Sequence, residues 1–232
     1  MTTVNILSGG AAQGLVRGLS EAFEAKTGFG IDGEFGAVGV MADKLRASTP
    51  ADLVILTQAL LAKLAAEKLV VPSSIADVGR VETALAVRSR DPKVIAKTEA
   101  DLCEALRSAD AIYVPDTKAS TAGQHVAKVL DQLGIAYEVT SRLKIFPNGA
   151  TAMRELATST ATWPIGCTQA TEIIATDGIA LSGSLPPGCE LVTMYTAGVT
   201  TQAAHPNEAA ALIALLTGAD QRDLRQRAGF TG

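Results

Sequence analysis

The chain is 232 residues long, enough for one large domain or for two lobes that share the work. Hydrophobic residues make up 47% and aromatics only 4%, so the core must rest on Ala, Val, Leu and Ile. Twenty Lys and Arg against 24 acids give a formal charge of −4, which argues against a general nucleic-acid binder with its basic face but leaves room for a small anion at a local site.

The opening Met1-Thr2-Thr3-Val4-Asn5 has no basic n-region, no long apolar stretch and no cleavage-site pattern. The richest apolar stretch, residues 53–71, is interrupted by Lys63, Glu67 and Lys68, so no membrane span is expected. Read as it stands this is a cytoplasmic protein, or a periplasmic one if a leader has been removed. Cys103, Cys167 and Cys189 are odd in number and lack CxxC spacing. Reduced thiols are expected rather than a disulfide or a metal set. No cofactor is implied, because neither a phosphate-binding loop, nor a dinucleotide fingerprint, nor metal spacing occurs.

The chain opens with an apolar run, Val4-Asn5-Ile6-Leu7, then the small-residue turn Ser8-Gly9-Gly10-Ala11-Ala12, then a helix with Val16, Leu19 and Phe23 on one face. The helix should stop near Gly28. Residues 31–35 read as a strand, followed by Gly36-Ala37-Val38-Gly39 and a second helix through Met41 and Leu45. The continuous apolar run Leu53-Val54-Ile55-Leu56 predicts a strand buried on both faces. Thr57 is placed to cap the helix after it, whose inner stripe is Leu60, Leu61 and Leu64. Residues 72–79 read as a loop and 81–88 as a strand.

A second βαβ series follows. It has a helix over 99–107, a strand over 111–114, a loop over 115–121, and a helix over 122–133 with Val126, Val129 and Leu130 inward. Leu143-Lys144-Ile145-Phe146 is a strand that turns through Pro147-Asn148-Gly149 into a helix carrying Met153 and Leu156. Residues 163–167 form a strand ending in polar Thr168 and Gln169, residues 190–196 a strand leading back, and 206–216 and 220–228 closing helices. Strands alternating with helices predict parallel pairing, and ligands of open α/β sheets bind beyond the carboxyl ends of the strands. Those ends are Ser8 to Ala11, Gly36 to Gly39, Thr57, the loop 115–121, Asn148-Gly149 and Thr168-Gln169, all of them small or polar.

On these landmarks, together with Ala22-Phe23-Glu24, Thr27-Gly28 and Pro50-Ala51-Asp52, the sequence resembles the type II periplasmic-binding-protein fold and within it the molybdate-binding-protein-like family. The resemblance implies an α/β protein of two Rossmann-like lobes joined by a two-crossing hinge, with residues 1–84 plus 192–232 as lobe one and 85–191 as lobe two. It implies a ligand cleft between the lobes and closure on a small-molecule anion. Molybdate binders of this family usually place serine hydroxyls where Ala11 and Val38 stand here, and often a tyrosine where Thr168 stands. Without those hydroxyls, oxyanion acceptors go unpaired at about 1 kcal/mol or more each, which argues against molybdate and tungstate. Leu7-Ser8-Gly9-Gly10-Ala11 and Thr171-Glu172-Ile173 are similar to pieces of a branch of the family that includes aconitate isomerase, which implies a carboxylate ligand.

Candidate ligand-binding residues are therefore Ser8, Gly9, Gly10, Ala11, Val38, Gly39, Thr57, Arg88, Ser120, Thr121, Asn148, Gly149, Thr168 and Gln169. Ser8 is either a hydroxyl donor to a carboxylate or a turn serine bonded to its own backbone. Gly9, Gly10 and Gly39 offer amides at close range. Arg88 is either a bidentate carboxylate clamp or a solvated surface arginine like its neighbour Arg90. The candidates for moving a proton are Lys118 in the 115–121 loop, His125 early in a helix whose N-terminus favours its neutral form, and Glu172 after a strand end. The leading expectation is an isomerase making an allylic proton shift on an unsaturated di- or tricarboxylate. The alternatives are a substrate-binding protein that delivers a small anion to an ABC transporter, its only partner in that case, and a cytoplasmic ligand sensor.

Overall fold

The computed structural model describes residues 2–232, and the chain divides into two units. Unit 1 runs up to Val81 and resumes at Thr193; unit 2 is the uninterrupted segment Glu82–Val192.

In unit 1, β1 (Thr3–Gly9) is followed by α1 (Gln13–Thr27), β2 (Gly30–Gly36), α2 (Val38–Arg46), β3 (Leu53–Thr57) and α3 (Gln58–Ala66). β2 and β3 flank β1 in parallel, with Val4 opposite Ile31 and Leu7 opposite Val54. The apolar run 53–56 is buried on both faces, as its lack of alternation predicts. α1 packs Leu15, Val16, Leu19 and Phe23 inward and closes on Gly28, whose φ of 74° is the left-handed C-cap that glycine adopts freely. Thr57 does stand at the N-cap of α3, but its hydroxyl makes no capping bond, so the predicted cap is corrected to a position without that contact.

The chain leaves unit 1 within β4 (Ala76–Arg88) and returns within β9 (Val192–Val199). β9 pairs antiparallel with β3. β4 begins well before the expected residue 81, at Ala76, and a 3-10 turn occupies Pro72–Ser74 at the start of the expected loop. α9 (Pro206–Thr217) and α10 (Arg222–Arg227) complete unit 1, with Leu212 and Leu216 fully buried. Asp52 ties this unit together: its carboxylate accepts the Asn5 and His205 N–H groups at 2.8 Å each, while its carbonyl accepts that of Thr200 at 3.0 Å.

Unit 2 contains α4 (Glu99–Ser108), β5 (Ala111–Pro115), α5 (Thr121–Gln132), the single turn α6 (Ala136–Val139), β6 (Leu143–Phe146), α7 (Gly149–Ala157), β7 (Pro164–Gln169), α8 (Ala170–Ile174) and β8 (Ile179–Ser184). β6, β5 and β7 are mutually parallel, as the βα alternation predicts. β7 then pairs antiparallel with β4, and β4 with β8. The core of this unit joins Leu85, Leu102, Leu106, Ile112, Val114, Val126, Leu130 and Ile165. Among the described residues no helix is long and apolar enough to cross a membrane.

Candidate functional site

Ser8, Gly9, Gly10 and Ala11 sit at the carboxyl end of β1 and are all buried. A Cβ on Gly9 would come within 2.8 Å of Val38 Cγ1 and 3.1 Å of Tyr195 Cε1, so the strand can approach these side chains only without one. Gly10 to Ala12 make a 3-10 turn that runs directly into α1, leaving the first amides of a helical start at the turn. The Ser8 hydroxyl donates to the Gly9 carbonyl at 2.9 Å, a bond to its own local backbone. Val38 is buried at the first position of α2, followed by half-buried Gly39, and Thr57 is half-buried.

In unit 2 the strand ends converge on one acid. Glu172, 6% exposed, accepts the Thr168 hydroxyl at 2.6 Å and backbone N–H groups of Gln169, Ala150 and Gly149. Its carboxyl thus lies at the start of α7, where unpaired amides and the helix dipole favour an acceptor. Gly149 is required there: a Cβ would collide with Glu172 Oε2 and Thr168 Oγ1. Burial pushes the Glu172 carboxyl above the ordinary carboxylate range, against the lowering effect of its hydrogen-bond donors. Asn148 caps α7, its side-chain oxygen accepting the Thr151 N–H at 2.8 Å.

The other candidates are held differently. Lys118 is exposed, and its loop is shaped by Asp116, which accepts the Lys118 and Ala119 N–H groups at 2.7 and 2.8 Å. Those donors lower the Asp116 carboxyl, with Ala119 the larger contribution. Ser120 caps α5 and Thr121 is its first residue, both half-buried. His125 Nε2 lies 2.8 Å from the Cys189 carbonyl. A carbonyl only accepts, so Nε2 carries the proton and, in the neutral ring, Nδ1 holds the lone pair.

Arg88 is buried, with Nε on Asp91 at 2.5 Å, one terminal nitrogen on the Ser159 carbonyl at 2.7 Å and the other on the Thr162 carbonyl at 3.2 Å. Every nitrogen of its guanidinium is thereby engaged inside unit 2, so Arg88 is neither a free carboxylate clamp nor the solvated surface arginine that was the alternative, but a buried structural residue. Cys103, Cys167 and Cys189 are unpaired thiols, and burial pushes Cys167 up to about 12, where it is inert as a nucleophile. Among the described residues no group of His, Cys, Asp or Glu is arranged to hold a metal ion.

Two contributors escaped the sequence reading. Asp116 is signalled only by its place after a strand end. Thr83, in the middle of β4, lies directly opposite Gln169 of β7, and nothing in its own neighbourhood marks it.

Comparison with known proteins gives this geometry a context. The chain is 28% identical over 231 residues, 95% of its length and 84% of the relative's, to an aconitate isomerase from a Pseudomonas species. The periplasmic molybdate-binding protein of Azotobacter vinelandii superposes with a TM-score of 0.82 at 16% identity, covering 99% of both chains. A sulfate-binding protein from Mycobacterium tuberculosis H37Rv superposes with a TM-score of 0.73 at 19% identity, covering 99% of this chain and 86% of the other. At these identities the two structures establish the type II periplasmic-binding-protein fold and nothing finer. Residues 4–231 match the model of the bacterial extracellular solute-binding proteins, and the chain belongs to that family.

Proposed function

We propose that the protein binds a small unsaturated di- or tricarboxylate and moves a proton along it, as an isomerase of the aconitate isomerase type. The observation that carries this reading is Glu172: a buried carboxyl, raised above the ordinary range, at the carboxyl end of β7. A structural ion pair would hold a carboxyl low, whereas burial raises this one and makes it the stronger proton acceptor once ionised. The relative named aconitate isomerase supports the same reaction class.

In the reaction, ionised Glu172 takes a proton from the methylene carbon of the substrate. The C–H electron pair spreads over the three allylic carbons. Glu172 then returns the proton to the far carbon, so that one C–H bond breaks, one forms and the double bond shifts. Low-dielectric surroundings strengthen every dipole that holds the delocalised charge.

The test is incubation of purified protein with trans-aconitate in deuterated water, followed by mass spectrometry. Deuterium uptake and a second isomer are expected from the wild type, and a rate at least about 100-fold lower from Glu172→Gln, the range of a lost general base. The second reading is a solute-binding protein that serves a transporter, favoured by the family description. Tight binding of trans-aconitate with neither a second isomer nor deuterium uptake would select it.

A further inference from the structure

β4 and β7 run antiparallel, with Thr83 directly opposite Gln169. Side chains of such a pair lie on one face of the sheet with Cβ atoms about 5 Å apart. Their neighbours on that face, Leu85 and Cys167, enter the apolar core, so Thr83 and Gln169 stand at the polar end of a dry stripe. Gln169 is 3% exposed and Thr83 1%. Among the described residues Gln169 Nε2, Gln169 Oε1 and Thr83 Oγ1 are buried and have no hydrogen-bond partner.

Each such group carries a desolvation cost that a purely structural position would be expected to relieve. A Leu or Met at 169 and a Val at 83 would fill the same space without it. Gln169 is also the last residue of β7, at the carboxyl end where open α/β sheets bind ligands, and its backbone N–H already holds the Glu172 carboxyl. The hydrogen-bonding capacity of this pair is therefore kept for a guest.

The chemistry of the pair defines that guest. A primary amide presents a donor and an acceptor side by side, so its full complement is a planar group with the same two functions reversed. A carboxylate offers acceptors only and would set a negative oxygen against Gln169 Oε1. An undissociated carboxyl or a carboxamide pairs at both points, and Thr83 is left to bond the same group or its neighbour. We infer that Thr83 and Gln169 form a neutral subsite that binds an uncharged carboxyl or carboxamide of the ligand. This rests on the carboxylate-binding reading above, which it narrows: one end of the ligand is recognised without charge.

The experiment uses two probes of equal charge, fumaric acid monoamide and monomethyl fumarate, which differ in the ability to donate at one end. Isothermal titration calorimetry of the wild type is expected to give binding of the monoamide about 10-fold or more tighter than of the ester, the consequence of one unpaired buried partner. Gln169→Met should remove that preference, and Thr83→Val should weaken the monoamide several-fold. Both ligand-free variants should melt higher than the wild type, by about 2 °C or more, because a buried unpaired group has been removed. Equal binding of the two probes by the wild type, a preference retained in Gln169→Met, or a lower melting temperature in both variants would overturn the inference. Binding of trans-aconitate without binding of the monoamide overturns it too and leaves the function reading intact. Failure to bind trans-aconitate and either probe overturns the function reading as well.

Discussion

At the scale of single residues, the chemistry of unit 2 is concentrated on Glu172, which has an acidic side chain where the fold offers little water. Its folded-state pKa is raised by burial, so the folded chain holds a proton that the unfolded chain gives up above about 4.5. The stability from the neutral acid is full below that value and is lost as pH rises through the folded pKa. Glu172→Gln never ionises and escapes this loss. Its melting temperature should therefore climb relative to the wild type as pH rises above about 4.5, and a pH-independent difference would rule out the raised carboxyl. Gly149→Ala should lower stability by about 2 kcal/mol or more, because the new methyl group lands on Glu172 and Thr168; urea unfolding checks this.

Arg88 makes the complementary case. Its position at a strand end is legible in the sequence, and that position fits a ligand clamp or a solvated surface arginine. The buried structural role it has depends on the carbonyls of Ser159 and Thr162, 71 and 74 residues further on, which no local pattern announces. Arg88→Ala takes from the Asp91 carboxylate its ion-pair partner in a largely buried setting and should cost about 3 kcal/mol or more in urea unfolding. Trans-aconitate affinity of the folded protein should stay within about twofold, as expected of a mutation outside the binding contacts.

At the scale of elements, what could be read in advance was what periodicity and punctuation encode. The apolar run 53–56, the stripe of α1 and the stop at Gly28 follow from side-chain spacing and one glycine, and the structure has them where they were expected. α8 and β8 were not visible. α8 is only five residues long, and β8, Ile179–Ser184, mixes small and polar residues along an edge that lies against β4. Sheet neighbours create such elements, and local preference does not. Thr83 was hidden for the same reason, since its meaning lies in the residue opposite it.

Capping, by contrast, is a local matter and can be tested locally. Asn148→Ala removes the α7 cap and should cost about 1 kcal/mol in urea unfolding, whereas Thr57→Ala, with no capping bond to lose, should cost under about 0.5 kcal/mol. A similar loss for both would mean that the Thr57 hydroxyl stabilises α3 after all.

At the scale of the whole molecule, the two units differ in how the chain supplies them. Unit 2 is one continuous segment, while unit 1 is assembled from both ends of the sequence. Asp52 marks the dependence. It holds Asn5 near the start of the chain, and Thr200 and His205 close to the end, the latter 153 residues away. β3 likewise lacks its antiparallel neighbour until β9 has been made. A ribosome therefore releases everything that unit 2 needs before the last partners of unit 1 have left the exit tunnel. β1, which is made before any of unit 2, belongs to the body that is finished last. Nascent chains arrested with residue 195 just outside the tunnel should yield a protease-resistant fragment from the middle of the sequence, with the N-terminal eighty residues still digestible.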